Sequence, residues 1–517
     1  MIDWSVSGPE CHHGRMVRVF GNRPASLWDV VEQTVDQRGE SEAIVDGPVR
    51  VSYAGLKARS QQLAAYLAEH GIVRADRVAI VMANRDDYIA ALLAIWWIGG
   101  IAVPINTREG ASELAHALHT SGARAVFCDA QQTERLEATC PEILIASVET
   151  IAGSPAGCPA RVSTDEDAAA VILFTSGTTG VAKGVVLTHC NIVHSCLHYQ
   201  VGLQLGSAER SCLAVPASHV TGLVAIIATM LATGGCIIVL DQFRADRFLA
   251  VASAERMTHT IMVPAMYALC LRAPGFASAE LQAWRIAGFG GAPMPPATLE
   301  AFAAQYPALA FSNVYGATET CSPATIMPAE ATAARLTSVG RPVVCGTVQV
   351  VDPAGRICAP GEPGELSLAG PQVSPGYWNN PDATAREFVD GFWRSGDIGM
   401  IDADGFVYLH DRAKDLVNRG GYKIYSVEVE QALSAHPAVV EAAIVPVPCS
   451  VLGERIHAVV VLAEGALFAL ADARAHVASL LADYKAPDYL TVMPEALPRN
   501  ANGKVTKQAL RQLDPTG

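Results

Sequence analysis

The spacing of apolar and polar positions changes several times along the chain. Residues 53–70 repeat apolar side chains at helical intervals, whereas 77–82 and 102–105 are short apolar runs of the kind that form buried strands. This alternation predicts an α/β fold. It resumes further on, with a helix predicted over 247–256, a strand around Ile261 and a helix over 296–306. Between Gly340 and Leu368 the period falls to two and Pro/Gly turns recur, which predicts a small antiparallel sheet or barrel. Residues 392–415 read as a hairpin running into a boundary at Lys414–Asp415. Beyond it come a helix over 426–436, opened by Ser426 as cap with Glu428 and Glu430 in its early turns, strands over 439–445 and 456–462, and a helix over 471–481. The expected organisation is an N-terminal arm (1–26), a large α/β domain (27–413) with a β-rich part from about 335, and a small α+β domain (414–517).

Two uncharged stretches, 88–107 and 220–240, are about long enough to span a bilayer. Each is interrupted by Gly-Gly (Gly99-Gly100, Gly234-Gly235) and then continues as a β-branched run. A buried helix, a turn and a buried strand account for both, and no membrane span is expected.

At 517 residues the chain is too long for one core. Hydrophobic residues make up 50% and charged ones 17%, so it folds rather than remaining disordered. The net charge of −14, with no dense basic block, argues against nucleic acid as a partner. An anionic substrate stays open, because donors in a cleft outweigh net charge at contact distance. Thirteen cysteines without CxxC pairs, and no apolar leader, point to a reducing cytoplasm. Cys11, His12 and His13 lie in what reads as a loose arm, without partners at ligand spacing.

One stretch carries chemistry on its face. ILFTSGTTGVAKGVVLTH, from Ile172, is an apolar strand that breaks into hydroxyls and glycines, places Lys183 among them, and turns apolar again. Glycines admit close backbone approach, the hydroxyls of Thr175, Ser176, Thr178 and Thr179 add donors, and a lysine adds a point charge: a loop suited to phosphate. Gly177 and Gly180 are too close together, and Lys183 is followed by Gly184, so this is not the P-loop of nucleoside triphosphatases.

Four further stretches follow it in order: VYGATET (314–320), WRSGDIG (393–399), HDRAKDLVNRGGYKIYSVEVE (410–430) and LPRNANGKVTK (497–507). With TSGTTGVAKG (175–184) they resemble the adenylate-forming superfamily of acyl-CoA synthetases, carrier-protein adenylation domains and luciferases, over about 27–507. The resemblance implies activation of a carboxylic acid by ATP and Mg²⁺ as an acyl-adenylate, with pyrophosphate released, then transfer to the thiol of coenzyme A. It implies that Thr175, Ser176, Gly177, Thr178, Thr179 and Lys183 hold the β- and γ-phosphates, that Thr318 donates to the α-phosphate and that Glu319 holds Mg²⁺. Tyr315 is expected to stack on adenine, with Gly316, Ala317, Gly291, Ala292 and Pro293 alongside, and Asp397 to accept the ribose hydroxyls near Arg412. Lys504 matches the lysine that contacts the reacting carboxylate and α-phosphate oxygens. Lys414 and Asp415 match the pivot between two orientations of the C-terminal domain, and Gly420 and Gly421 the segment lining the pantetheine tunnel.

For the acid, PASHVTG (216–222) resembles the segment gating the acyl pocket, with His219 where fatty-acyl and aryl ligases carry histidine; Ser218 departs from the usual aromatic neighbour. No acidic residue stands where amino-acid adenylators pair the substrate ammonium, and Val220, Val224, Ile226 and Phe289 bring no cation for a second carboxylate. A mainly apolar acid is expected. The acceptor is CoA or an acyl carrier protein; Arg419, Lys423 and Lys485 are candidates for CoA phosphates. A non-catalytic acyl or nucleotide sensor is the alternative of another class, nothing requires a luciferase-like oxidation, and a homodimer is left open.

Overall fold

The computed structural model describes residues 6–151, 158–175, 182–499 and 505–515. It divides into two compact units: Met1–Val348 with Ser367–Arg394 and Gly405–Val407, and Gln349–Leu366 with Ser395–Asp404 and Tyr408–Gly517.

Among the described residues the first unit holds two large sheets. In one, the order is Lys183–Thr188, Ala169–Thr175, Ile101–Pro104, Arg77–Val81, Ala123–Cys128 and Leu144–Ser147, parallel except for the first pair. In the other, Glu42–Asp46, Cys236–Val239, Arg210–Leu213, His259–Met262, Ile286–Phe289 and Ala310–Tyr315 run parallel. Parallel strands need helical crossovers, which bury both faces, and this is why these strands read as continuous apolar runs.

Both uncharged stretches fold as their Gly-Gly breaks dictate. The helix Asp86–Trp97 is buried on every side from Tyr88 onward, Gly99 turns the chain at φ 68°, and Ile101–Pro104 follows as a buried strand. Thr221–Ala228 is a π-helix continued by the α-helix Thr229–Thr233, and Gly234 at φ 71° leads into Cys236–Val239. A helix that is apolar all round belongs in a core. Among the described residues no helix is long and apolar enough to cross a membrane.

The N-terminal reading needs correcting. Val6–His12 and Arg15–Phe20 form an antiparallel hairpin, and His12 is buried with Nδ1 2.8 Å from Asp167 Oδ1. Arg23 bonds Glu166 (2.8 and 2.7 Å) and Glu10 (2.7 Å), so a guanidinium already supplies the cation among these acids. The partners of His12 come from some 150 positions away, which spacing within the arm could not reveal.

In the second unit, the order Tyr422–Ile424, Val417–Arg419, Gly453–Leu462, Val439–Cys449 forms a sheet, with Tyr489–Met493 parallel to Gly453–Leu462. The helices Ser426–Ser434 and Leu470–Leu480 bury Val429, Leu433, Ala473 and Val477 in its core. Ser426 is not the cap but the first helical residue, and its N–H and hydroxyl both donate to buried Asp411. Glu430 turns inward to accept from Ile444 N (2.8 Å) and pairs with Lys507.

Candidate active site

Within the first unit the predicted residues collect at the carboxyl ends of the strands, where open α/β sheets place their ligands. Phe289 and Asn313 are register partners on parallel strands, so Gly291 and Tyr315, each two residues further on, emerge side by side. Gly291 (φ 79°), Ala292 and Pro293 are exposed; Tyr315 closes its strand. Gly316 admits no side chain, because an added Cβ would stand 1.4 Å from the Ser322 carbonyl oxygen. The chain folds back through the 3-10 turn Thr318–Thr320 and through Cys321 and Ser322 at φ 49° and 91°. That turn buries Thr318 and Glu319 at 8% exposure each.

Thr175 and Lys183 are register partners at the ends of two antiparallel strands. Ser176, Gly177, Thr178 and Thr179 lie outside the described residues, as does Lys504. A segment with no sequence signal completes the surroundings of Lys183. Tyr377 bridges to Val185 on the far side of the lysine strand, and Trp378 N donates to Gly184 O (2.7 Å). The helix Pro381–Glu387 follows, capped by Asn380, which accepts from Ala383 N. At its end Glu387 accepts from Lys183 Nζ through both oxygens at 2.8 Å, and Lys183 also lies 4.1 Å from the centre of the Tyr377 ring. The Tyr377 hydroxyl stands between two carboxylates, 3.0 Å from Glu319 Oε1 and 2.5 Å from Glu387 Oε2. Burial raises the Glu319 carboxyl above its ordinary range, and burial beside these acids raises the Tyr377 phenol. Burial also pushes Glu387 up, but bonds from Lys183, Tyr377 and Arg386 more than offset it and leave this carboxyl low.

A buried carboxylate, an oxygen ligand, fits a hard divalent cation, which Glu319 would hold.

His219 sits at the start of the π-helix, at the carboxyl end of Arg210–Leu213. Its Nδ1 lies 3.3 Å from Thr221 N and 3.2 Å from Thr221 Oγ1. The turn before it is fixed by Asn84, another residue without a motif. Asn84 Oδ1 accepts from Ala217 N (2.7 Å), and its amide nitrogen reaches the carbonyls of Val215 (2.9 Å), Leu240 (3.0 Å) and Leu213 (3.3 Å). Val220, Val224, Ile226 and Phe289 are buried.

In the second unit Asp397 and Arg412 do meet, Nε to Oδ1 at 2.9 Å, with Asp397 buried and Arg412 more open. Ser395 Oγ accepts from Asp397 N (3.0 Å) and donates to Leu366 O (2.8 Å), which fixes the turn. Lys414 and Asp415 are clasped by Arg511, which donates to both. Burial lowers the Lys414 ammonium. Gly420 (φ 60°) and Gly421 (φ 91°) are the central pair of the hairpin turn joining Val417–Arg419 to Tyr422–Ile424, where both positions require positive φ. Two of the candidate phosphate cations are already engaged: Arg419 with Asp488 (2.7 Å) and Lys485 with Glu428 (2.6 Å).

Residues 31–378 match the family of AMP-binding enzymes, and 428–504 the C-terminal domain of AMP-binding enzymes. The chain is 33% identical to a feruloyl-CoA synthase of Amycolatopsis sp., over 91% of this chain and 95% of that one. It is 31% identical to the fatty acid–[acyl-carrier-protein] ligase ScoC of Streptomyces coeruleorubidus, over 89% and 91%. Among solved structures, the o-succinylbenzoate CoA synthetase MenE of Bacillus subtilis, in complex with the acyl-adenylate intermediate OSB-AMP, superposes with a TM-score of 0.86 at 28% identity, over 94% of this chain and 98% of that one. With both family regions matched in order and nearly the full length aligned, the chain belongs to the AMP-binding enzymes of the adenylate-forming superfamily.

Proposed function

We propose that this chain is an ATP-dependent acyl-CoA synthetase that activates a mainly apolar carboxylic acid as its acyl-adenylate and then forms the CoA thioester. The observation that carries the reading is that Lys183 and buried Glu319 converge on Tyr377 within one unit, in a chain whose relatives include CoA ligases for an aryl acid and for fatty acids.

Attack of a carboxylate on a polyphosphate brings two anions together, so catalysis rests on placed positive charge and donors. Thr175, the hydroxyls of 176–179 and Lys183 bind the outer phosphates; Thr318 donates at the α-phosphate. Mg²⁺, held by Glu319, supplies charge neutralisation on the phosphate oxygens. Tyr315 stacks on the adenine between 291–293 and 316–317. Asp397, held by Arg412 and Ser395, accepts from the ribose hydroxyls, and Lys504 donates to the oxygens at the reacting centre. His219 borders the acyl pocket; with its neighbours uncharged, an aryl or aliphatic acid fits better than a dicarboxylate. The hinge is Lys414–Asp415, and the enzyme works in the cytoplasm, in keeping with cysteines that are all free.

A carrier protein as acceptor draws support from one observation: Arg419 and Lys485 already have carboxylate partners, which weakens their case as phosphate ligands. Pyrophosphate release across a panel of aryl, fatty and dicarboxylic acids tests the reading; release indifferent to the acid would refute it. Gly421→Ala strains a position at φ 91°, costing about 1–2 kcal/mol locally. It is expected to slow thioester formation more than adenylation in single-turnover assays, and equal losses would detach the hairpin from the second step.

A further inference from the structure

Lys183 is not waiting in open solvent. Its side chain is 13% exposed and makes two 2.8 Å bonds to one carboxylate, that of Glu387. If Lys183 serves an outer phosphate, as proposed above, this pair must open each time a polyphosphate arrives and can close each time one leaves. Glu387 does not depend on the lysine to stay satisfied, since Tyr377 (2.5 Å) and Arg386 (2.9 Å) also donate to it. The glutamate is fixed on its own side: Asn380 caps its helix, and Tyr377, which bridges to Val185 on the lysine strand, donates its N–H to Thr384 Oγ1 (2.9 Å).

We infer that Glu387 is a positioning residue that stands in for phosphate. It holds the Lys183 ammonium, yields it to the incoming polyphosphate, and takes it back as pyrophosphate departs. A carboxylate is a good stand-in because it offers the lysine the same charge and acceptor geometry as a phosphate edge. A group that occupies the binding lysine lowers apparent affinity by the fraction of time it does so. Its effect therefore falls on ATP and on pyrophosphate alike, and it keeps the second from becoming a trap. The other carboxylate nearby, Glu319, reaches this cluster through the Tyr377 hydroxyl, whereas Glu387 bonds Lys183 directly through both oxygens, so the exchange belongs to Glu387.

The test is equilibrium binding of Mg²⁺–ATP and of Mg²⁺–pyrophosphate by calorimetry, without acid or CoA. Glu387→Gln keeps the shape and removes the charge. It should bind both ligands about three- to tenfold more tightly, a factor in keeping with loss of one partly exposed ion pair. Glu387→Ala should shift both in the same direction, and Glu387→Asp should return toward the parent. A merely structural role would instead weaken both ligands. Unchanged or weaker binding in folded Gln and Ala variants, with the parent binding ATP normally, overturns the inference while leaving the synthetase reading intact. A parent chain with no affinity for Mg²⁺–ATP would overturn both.

Discussion

Lys504→Ala loses acyl-adenylate formation by about a hundred- to thousandfold, the usual cost of removing one preorganised donor to developing charge, about 2.7–4 kcal/mol. Binding of ATP in the absence of acid is expected to fall far less, because the phosphate and ribose contacts proposed for Lys183, Thr318 and Asp397 do not involve it. The two measurements are rapid-quench detection of the adenylate and calorimetric ATP affinity on the same preparation. Loss confined to the first identifies Lys504 as a group that acts at the reacting centre. Unchanged adenylation would remove it from the mechanism, and an equal fall in ATP affinity would make it a ground-state ligand.

Asn84→Ala is the largest expected stability change. The amide is buried, and its removal strands Ala217 N and the carbonyls of Val215 and Leu240 without their partner. Buried groups left unpaired cost about 1–3 kcal/mol each before relaxation, so a net loss of about 2–4 kcal/mol is expected. All 7 tryptophans fall in the first unit, so a denaturation curve followed by their fluorescence reports on that unit alone. Asn84→Asp is expected to be nearly as damaging, because a carboxylate cannot donate to the carbonyls that the amide reaches. Where the variant stays folded, KM for the acid should rise more than KM for ATP, since the turn that Asn84 pins is the one that carries His219. A loss below about 1 kcal/mol would mean that the turn holds itself.

How much of this was legible in the chain depends on how local each signal is. The uncharged stretches resolve from sequence alone, because a Gly-Gly break between an apolar helix and a β-branched run is a short-range instruction, and Gly99 and Gly234 carry it out. The α/β class follows from alternating periods for the same reason. Asp397 and Arg412 were each legible as motif residues, and the fold brings them to 2.9 Å. Asn84, Tyr377 and Glu387 carried no such mark. Each is a single polar residue whose meaning comes from distant partners: Ala217 lies 133 positions from Asn84, Lys183 lies 204 from Glu387, and Glu319 lies 58 from Tyr377. The N-terminal hairpin was only faintly legible: His13-Gly14 makes a turn, but MVRVF is apolar at every position except Arg18. The burial of His12, however, depends on Asp167 and on Arg23 with Glu166. Gly420-Gly421 shows the converse, since the hairpin itself demands both glycines before any acceptor is considered.

The most direct test of the central claim is product identification from ATP, Mg²⁺, CoA and one accepted acid, by mass spectrometry with phosphorus NMR. Equal amounts of AMP, pyrophosphate and acyl-CoA thioester are the result expected here, with the acyl-adenylate accumulating when CoA is withheld. ADP and orthophosphate in place of AMP and pyrophosphate, or nucleotide turnover that neither needs the acid nor yields a thioester, would contradict it.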